Sequence, residues 1–399
     1  MLAPETAWDL IEQEIQPLDT TSCSRREALG RVLAEDLKAT VHVPFADVSA
    51  MDGYVAAGAV DQSATHAVIG VSAAGRPPSF EMPAGSVAKI MTGAVVPKGG
   101  DRVVPIELTD GGKENVRFDR LTDEGAHIRR QGEVVRLGEP LLHAGHHVNT
   151  GSISLLASHG YSQVPVVRRP TVSILTTGDE VVPPETVPGP GQLRDSNSPY
   201  LLAAGDAMGL TFNSLGNAGD SLESLRTGIR DGLQSDVLLM CGGVSKGDYD
   251  LVEDVLEEMG CRKLFDAVAI QPGKPLVACR HPKGWVFGLP GNPGSVMTTF
   301  QLYVRPLLHR LAGISDGFWR GTWHAELTES LPPGKGRDRF FNALLESRDG
   351  KLYATPLRPK GSHDVTCFAR SNGLVRLPKG HAGFAQGEIC EAMFCDRRL

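Results

Sequence analysis

The sequence predicts an α/β multidomain chain: a Rossmann-like α/β domain, a β-rich insertion domain and a C-terminal β domain. Three observations carry this. Between residues 171 and 312, short continuous apolar runs alternate with amphipathic helical stretches, the pattern of a buried parallel sheet with helices on both faces. On either side the apolar runs shorten and alternate with polar residues, as in small β domains. The 399 residues include 46 Gly and 27 Pro with no low-complexity tract to hold them, so many tight turns are expected.

Taken in order, the chain opens on an amphipathic helix, with Trp8, Ile11 and Ile15 at helical spacing, and a second such segment is expected over residues 27–39. Residues 45–134 carry short alternating stretches (VAKI, DRVVPIEL, ENVRFDRL) and read as a β-rich insertion. Residues 135–168 contain one helix, TGSISLLASHG, and are grouped with 1–44 as a helical N-terminal and linking domain. Residues 169–315 form the α/β domain. Strands TVSILTTG, TFNSLGNA, DVLLMCGG and WVFGLP alternate with helices SPYLLAAGDAMG, SLESLRTGIRDGL and DYDLVEDVLEEMG, and a long helix, SVMTTFQLYVRPLLHRLAG, closes the domain. Residues 316–399 return to strands and turns. They hold 13 Lys/Arg against 10 Asp/Glu, whereas the remainder holds 27 against 37, so the one basic module suits a share in an anion site.

Several classes are excluded. A net charge of −7 argues against a general nucleic-acid binder. No apolar run reaches the ~18 residues of a membrane span, and the start lacks the basic and apolar regions of a secretory signal. Seven cysteines with no CxxC pair are neither a disulfide framework nor a zinc ribbon, which fits a reducing cytoplasm. His143, His146 and His147 form HxxHH in a Gly-rich segment and read as an exposed loop rather than a metal site. Neither GxGxxG after a strand nor GxxxxGK[ST] occurs.

Ligands of open parallel sheets sit at the carboxyl ends of the strands. Four loops are expected there: Gly178-Asp179-Glu180, Gly242-Gly243-Val244-Ser245-Lys246-Gly247-Asp248, Gln271-Pro272-Gly273-Lys274-Pro275 and Pro290-Gly291-Asn292-Pro293-Gly294-Ser295. The last offers Gly amides and a Ser at a helix N-terminus, where free N–H groups favour an anion. Ser245 and Asp248 have capping-box spacing, as do Asp220 and Glu223, so a structural role stands beside a binding role for each. Lys274 offers a point charge to an oxyanion. Glu180, Asp220 and Asp248 beside a phosphate site suggest Mg²⁺.

Together these loops resemble one family, the molybdopterin molybdenumtransferases of molybdenum-cofactor biosynthesis, to which the gephyrin C-terminal domain belongs. The carriers are Ser49-Ala50-Met51-Asp52-Gly53-Tyr54, Ile90-Met91-Thr92-Gly93-Ala94, Thr177-Gly178-Asp179-Glu180, Arg194-Asp195-Ser196-Asn197, Gly242-Gly243-Val244-Ser245, Pro272-Gly273-Lys274-Pro275 and Pro290-Gly291-Asn292-Pro293. The resemblance implies a molybdopterin-binding α/β domain, a barrel-like C-terminal domain, and a homodimer whose sites are shared between subunits. It implies molybdate and adenylylated molybdopterin as substrates, Mg²⁺ as the cation and AMP as a product. It assigns catalytic roles to Asp52, Thr92, Glu180, Asp248 and Lys274, and cation binding to Glu180, Asp220 and Asp248. Gly242, Gly243, Ser245, Asp220, Pro290, Gly291, Asn292, Pro293 and Ser295 would bind the pterin nucleotide. The chain departs from the family pattern at Val134, Gln271, Asn342 and Thr366-Cys367. Two readings therefore stand: the transferase, or a diverged paralogue that keeps fold and dimer, with pterin-nucleotide binding but without metal insertion, and acts as a binding or scaffold protein.

Overall fold

The apolar runs between 171 and 290 become a six-stranded sheet with one departure from the expected all-parallel order. Its strands are β1 (Val172–Thr176), β2 (Phe212–Asn217), β3 (Val237–Cys241), β4 (Arg262–Phe265), β5 (Val277–His281) and β6 (Gly284–Leu289), in the order β2-β1-β3-β6-β5-β4. The first four of that order run parallel. β5 is antiparallel to β6, and β4 to β5. The reason is chain length: His281 pairs with Gly284 across a tight turn, far too short for the crossover that a parallel neighbour needs. In this computed structural model the described residues are 1–219, 221–242, 249–319 and 322–395. Their contacts divide the chain into two units, residues 1–21 with 167–399, and residues 22–166.

In the larger unit β1, β3 and β6 are buried along their whole length. Alternate side chains serve two cores. Val172, Ile174, Val237, Leu239 and Phe287 face one, which also holds Leu201 of α2 (Asn197–Ala207) and Ala7, Trp8 and Ile11 of α1 (Pro4–Glu12). Leu175, Leu238, Met240 and Val286 face the other, with Leu225 and Ile229 of α3 (Leu222–Gly232) and Val252 and Val255 of α4 (Tyr249–Glu258). The long closing helix is interrupted: α5 (Pro293–Thr299) passes through a π-helical turn, Phe300–Val304, into α6 (Arg305–Leu311). Pro306 has no N–H for the Leu302 carbonyl one turn back, so regular α-bonding cannot run through this point.

The C-terminal segment is a closed five-stranded barrel. β7 (Trp323–Leu327), β8 (Asp338–Arg348), β9 (Lys351–Pro356), β10 (Gly373–Leu377) and β11 (Ile389–Phe394) follow the ring order β8-β9-β7-β11-β10 and return to β8. Ala325, Leu327, Ala343, Leu345, Ala354, Val375 and Ala392 fill it. The short strand Ile270–Gln271 joins β8 in parallel, and α7 (Val365–Arg370) lies between β9 and β10 in sequence.

The smaller unit carries a five-stranded sheet ordered Arg102–Pro105, Gly53–Ala56, Val87–Ile90, His66–Ser72, Asn115–Val116. Its helix Thr150–Ser158 is capped by Asn149, whose side chain accepts the Ser152 N–H while the Ser152 hydroxyl receives the Asn149 N–H. Residues 27–39 do not form the expected helix. Gly30 sits at φ +74°, and Val32 and Leu33 bridge to His147 and Val166. Left-handed backbone at Gly30 ends any helix there, and the bridges then bury Leu33 more completely than a surface helix would. Nor does the first helix pack in this unit, since its apolar face belongs to the α/β core. Among the described residues, no helix is long and apolar enough to cross a membrane.

Candidate functional site

Three strand ends of the α/β sheet meet at one edge. The Thr177 N–H donates to the Cys241 carbonyl at 3.0 Å and the Gly242 N–H to the Leu289 carbonyl at 3.3 Å. A Cβ on Gly291 would stand 3.7 Å from the Gly242 Cα, so the second and fourth loops touch. The turn that carries Glu180 is tied to β2 by Asn217, whose amide donates to the Gly178 carbonyl at 2.7 Å and the Val181 carbonyl at 3.0 Å. Glu180 is exposed, and its carboxylate is folded back over Gly178 with no hydrogen bond or ion pair among the described residues.

The Arg194–Asn197 motif joins this edge through Asn197. Asp195 accepts the N–H groups of Asn197 and Ser198 at 2.9 and 3.0 Å, starting α2, and the Asn197 amide donates to the Gly291 carbonyl at 2.8 Å. Among the described residues, Thr177 Oγ1, Asn197 Oδ1 and Ser198 Oγ are buried without a hydrogen-bond partner. Native proteins rarely leave such groups unpaired, so a ligand or water is expected beside them. Gly243, Ser245 and Asp248 of the second loop, and Asp220, lie outside the described residues.

In the fourth loop part of the amide set is committed to the protein itself: Gly294 donates to the Ser362 carbonyl at 2.8 Å, and Ser295 and Val296 donate to the Asn292 carbonyl at 2.9 and 3.1 Å. A Cβ on Gly294 would come within 2.8 Å of that Ser362 oxygen, so this glycine admits the loop that uses its N–H. Pro290 is buried and Gly291, Asn292 and Pro293 lie at the surface, with Ser295 buried in the first turn of α5.

The third loop reaches the same sheet edge by another route. Because β5 is antiparallel, its amino end stands beside the carboxyl end of β6, and Gln271–Pro275 leads into it. Lys274 lines a cleft of about 580 Å³ between this loop, the start of α5 and the barrel. Arg337, Arg339 and Arg358 line it too, and among the described residues no Asp or Glu does. The cations differ in their commitments. Arg339 lies 4.6 Å over the Phe341 ring, Arg358 is 3.7 Å from Glu329, and Arg337 reaches the Ile270 carbonyl at 3.5 Å. Lys274 is exposed, and its ammonium has no hydrogen bond or ion pair among the described residues. Gln271 and Asn342 line the cleft as neutral groups.

Thr366 and Cys367 serve the cleft's rim rather than its lining. The Thr366 hydroxyl donates to Asp364 at 2.5 Å, and the Cys367 thiol lies 3.7 Å from the same carboxylate. The Thr366 hydroxyl and the Lys360 and Thr366 amides hold the Asp364 carboxyl below its usual range, while burial and then Asp364 push the Cys367 thiol up.

In the smaller unit the structure brings Asp52 and Thr92 together: the Thr92 N–H donates to Asp52 Oδ1 at 2.8 Å, and both residues are exposed. The Ser49 hydroxyl donates to the Met51 carbonyl at 2.6 Å, and Gly93 N–H donates to the Ser49 carbonyl at 2.8 Å, so the two motifs form one turn cluster. The paired arginines before Val134 are each engaged by a carboxylate, Arg129 by Glu133 and Arg130 by Asp47. His143 faces Asp36 and His146 faces Ser152. Among the described residues, no three His, Cys, Asp or Glu side chains are grouped to hold a metal ion.

An α/β layer whose strand ends carry these loops, followed by a cationic cleft against a small barrel, is the architecture of a molybdopterin-binding protein. Residues 173–310 match the family model described as a probable molybdopterin binding domain. Residues 2–160 match the MoeA N-terminal region (domain I and II), and residues 324–394 the MoeA C-terminal region (domain IV). The chain is 33 % identical over 386 residues to a molybdopterin molybdenumtransferase of Bacillus subtilis, covering 94 % of this chain and 90 % of the relative. It is 34 % identical to that of Haemophilus influenzae, covering 95 % of each. The solved structure of a molybdopterin biosynthesis MoeA protein from Pyrococcus horikosii superposes with a TM-score of 0.85 at 30 % identity, covering 99 % of each chain. The chain belongs to the molybdopterin molybdenumtransferase family and is a transferase of molybdenum cofactor biosynthesis.

Proposed function

We propose that this transferase inserts molybdate into adenylylated molybdopterin with release of AMP. The observation that carries the reading is the cleft in which Lys274, Arg337, Arg339 and Arg358 meet, with no carboxylate among the described lining residues. A small divalent oxyanion is held by point charges and guanidinium donors that converge on it. Gln271 and Asn342 are neutral, yet the barrel arginines keep the cleft cationic, which favours insertion over a scaffold role. The pterin nucleotide fits the neighbouring sheet edge, where Thr177, Asn197 and Ser198 carry polar atoms in need of partners. Molybdate-dependent release of AMP from adenylylated molybdopterin tests the reading. AMP release that ignores molybdate would overturn it.

Mg²⁺ suits the donor chemistry, since both oxygens of Glu180 lack a partner among the described residues and hard cations prefer carboxylate and phosphate oxygens. Glu180, with Asp220 and Asp248, would hold it, and bound there it would offset charge on the pyrophosphate. Glu180 itself orients the reacting oxyanion or its counter-ion. Glu180→Gln should leave stability within about 0.5 kcal/mol, as for an exposed side chain without partners. Turnover should fall by about tenfold or more, as when one electrostatic contact to a developing charge is removed. Parent-like turnover in the variant would remove Glu180 from the mechanism.

We also infer a homodimer in which Asp52 and Thr92 of one subunit complete the site of the other. The exposed Met51 and Met91 beside them give that patch an apolar rim suited to burial. Sedimentation at micromolar concentration should return the dimer mass, and a monomer alone would count against the shared site. Segments 45–134, 169–315 and 316–399 are proposed as domains within the two units, and 1–44 with 135–168 as a linking segment whose first helix packs in the larger unit.

A further inference from the structure

Arg337 and Arg339 can face the cleft only if β8 begins in the right register, and one buried residue lies between them. Asp338 is 6 % exposed and is not part of the cleft lining. Along β8 the residues alternate: Asp338 and Phe340 are buried, Arg339 and Phe341 half-buried. Asp338 Oδ2 accepts from Arg376 Nε at 2.8 Å and Nη2 at 2.5 Å, and its Oδ1 accepts the Lys379 N–H at 2.9 Å. Its own N–H donates to the Ala269 carbonyl at 3.0 Å. Arg376 also pairs with Glu5 of α1 and lies 5.5 Å over the Phe318 ring.

These bonds converge where two halves of the cleft are joined. Ile270 stands opposite Asp338 and Gln271 opposite Arg339, and the chain from Gln271 runs directly to Lys274. A slip of one residue would turn Arg339 to the buried side. A buried ion pair is a poor source of net stability, because desolvation offsets most of the attraction, and fixing a register is its best-attested use. We propose that Asp338 is a positioning residue: held by Arg376, it fixes Arg337 and Arg339 opposite Lys274 and so sets the oxyanion affinity of the cleft. This rests on the cleft being the oxyanion site.

The test is calorimetric titration of the full chain with sodium molybdate. Asp338→Asn should weaken binding about tenfold, the lower end of the cost of removing an outer contact that orients a ligand-binding group. Asp236→Asn is the control. It breaks an Arg168 pair of 2.7 and 2.8 Å at the other end of the sheet, so it should lower the unfolding temperature while binding molybdate as the parent does. If Asp338→Asn does not fold, Arg376→Gln, which keeps a donor toward Asp338, should still weaken molybdate several-fold. Equal weakening by Asp236→Asn would mean general loosening and would overturn the positioning role. Parent-like affinity in the variants at 338 and 376, with Lys274→Ala weakened, would also overturn it. Parent-like affinity in Lys274→Ala as well would instead overturn the oxyanion reading of the cleft.

Discussion

Lys274→Ala should weaken molybdate binding by roughly 1.5–3 kcal/mol, the range for a hydrogen bond to a charged group, or about ten- to a hundredfold in affinity. Among the described residues Lys274 is the one cation that the α/β domain contributes to the cleft, and its ammonium has no hydrogen bond or ion pair there. Its three barrel neighbours are each partly committed, Arg339 to Phe341, Arg358 to Glu329 and Arg337 to a backbone carbonyl. Because Lys274 is exposed, the loss should lie toward the lower end of that range and shrink as salt rises through the screening regime. Titration of molybdate at two ionic strengths checks both statements. A parent-like affinity for the oxyanion at low salt would place the site away from this cleft.

The α/β half was legible because β1, β3 and β6 are buried on both faces, so their sequences read as unbroken apolar runs between helices of regular period. β4 and β5 were not, since Arg262, Lys263, Arg280 and His281 interrupt the apolar pattern at the strand ends. Residues 27–39 misled for the opposite reason. Their apolar spacing suits a helix, but local period cannot foresee that Leu33 bridges Val166 from far along the chain. Periodicity reports which side chains are buried, and a long-range partner decides in what backbone they are buried.

Site legibility followed the same division. Asp52 and Thr92 were placed by motif, and their hydrogen bond follows from two turns that the sheet brings side by side. Arg358 carried no signal, because it enters the cleft only once β9 and β8 close the barrel. The Gly-rich loop before α5 gave a signal with two uses. Glycine suits an anion-binding turn, and Gly294 is also small so that the Ser362 carbonyl can accept its N–H. Composition alone does not separate these two uses of glycine.

Gly53→Ala is expected to be strongly damaging. Gly53 opens the strand Gly53–Ala56, which is paired on one side with Val87–Ile90 and on the other with Arg102–Pro105. A Cβ there would lie 2.0 Å from the Val104 carbonyl oxygen and 2.9 Å from its carbon. Those atoms are backbone of a paired strand, so relief requires the strands to part rather than a side chain to turn. The cost should be about 3 kcal/mol, the upper end for over-packing. The same shift would move Asp52, which is the next residue back and whose carbonyl accepts the Ile106 N–H at 3.0 Å while its carboxylate holds Thr92. Turnover should therefore fall together with stability, whereas Asp52→Asn should lower turnover and leave the fold intact. Hydrogen exchange at the Tyr54, Val55 and Ala56 amides reads the first effect directly, since faster exchange in Gly53→Ala is required if the strands part. Parent-like protection there would mean that the sheet absorbs the methyl group, and that Gly53 serves the turn rather than the approach of the two strands.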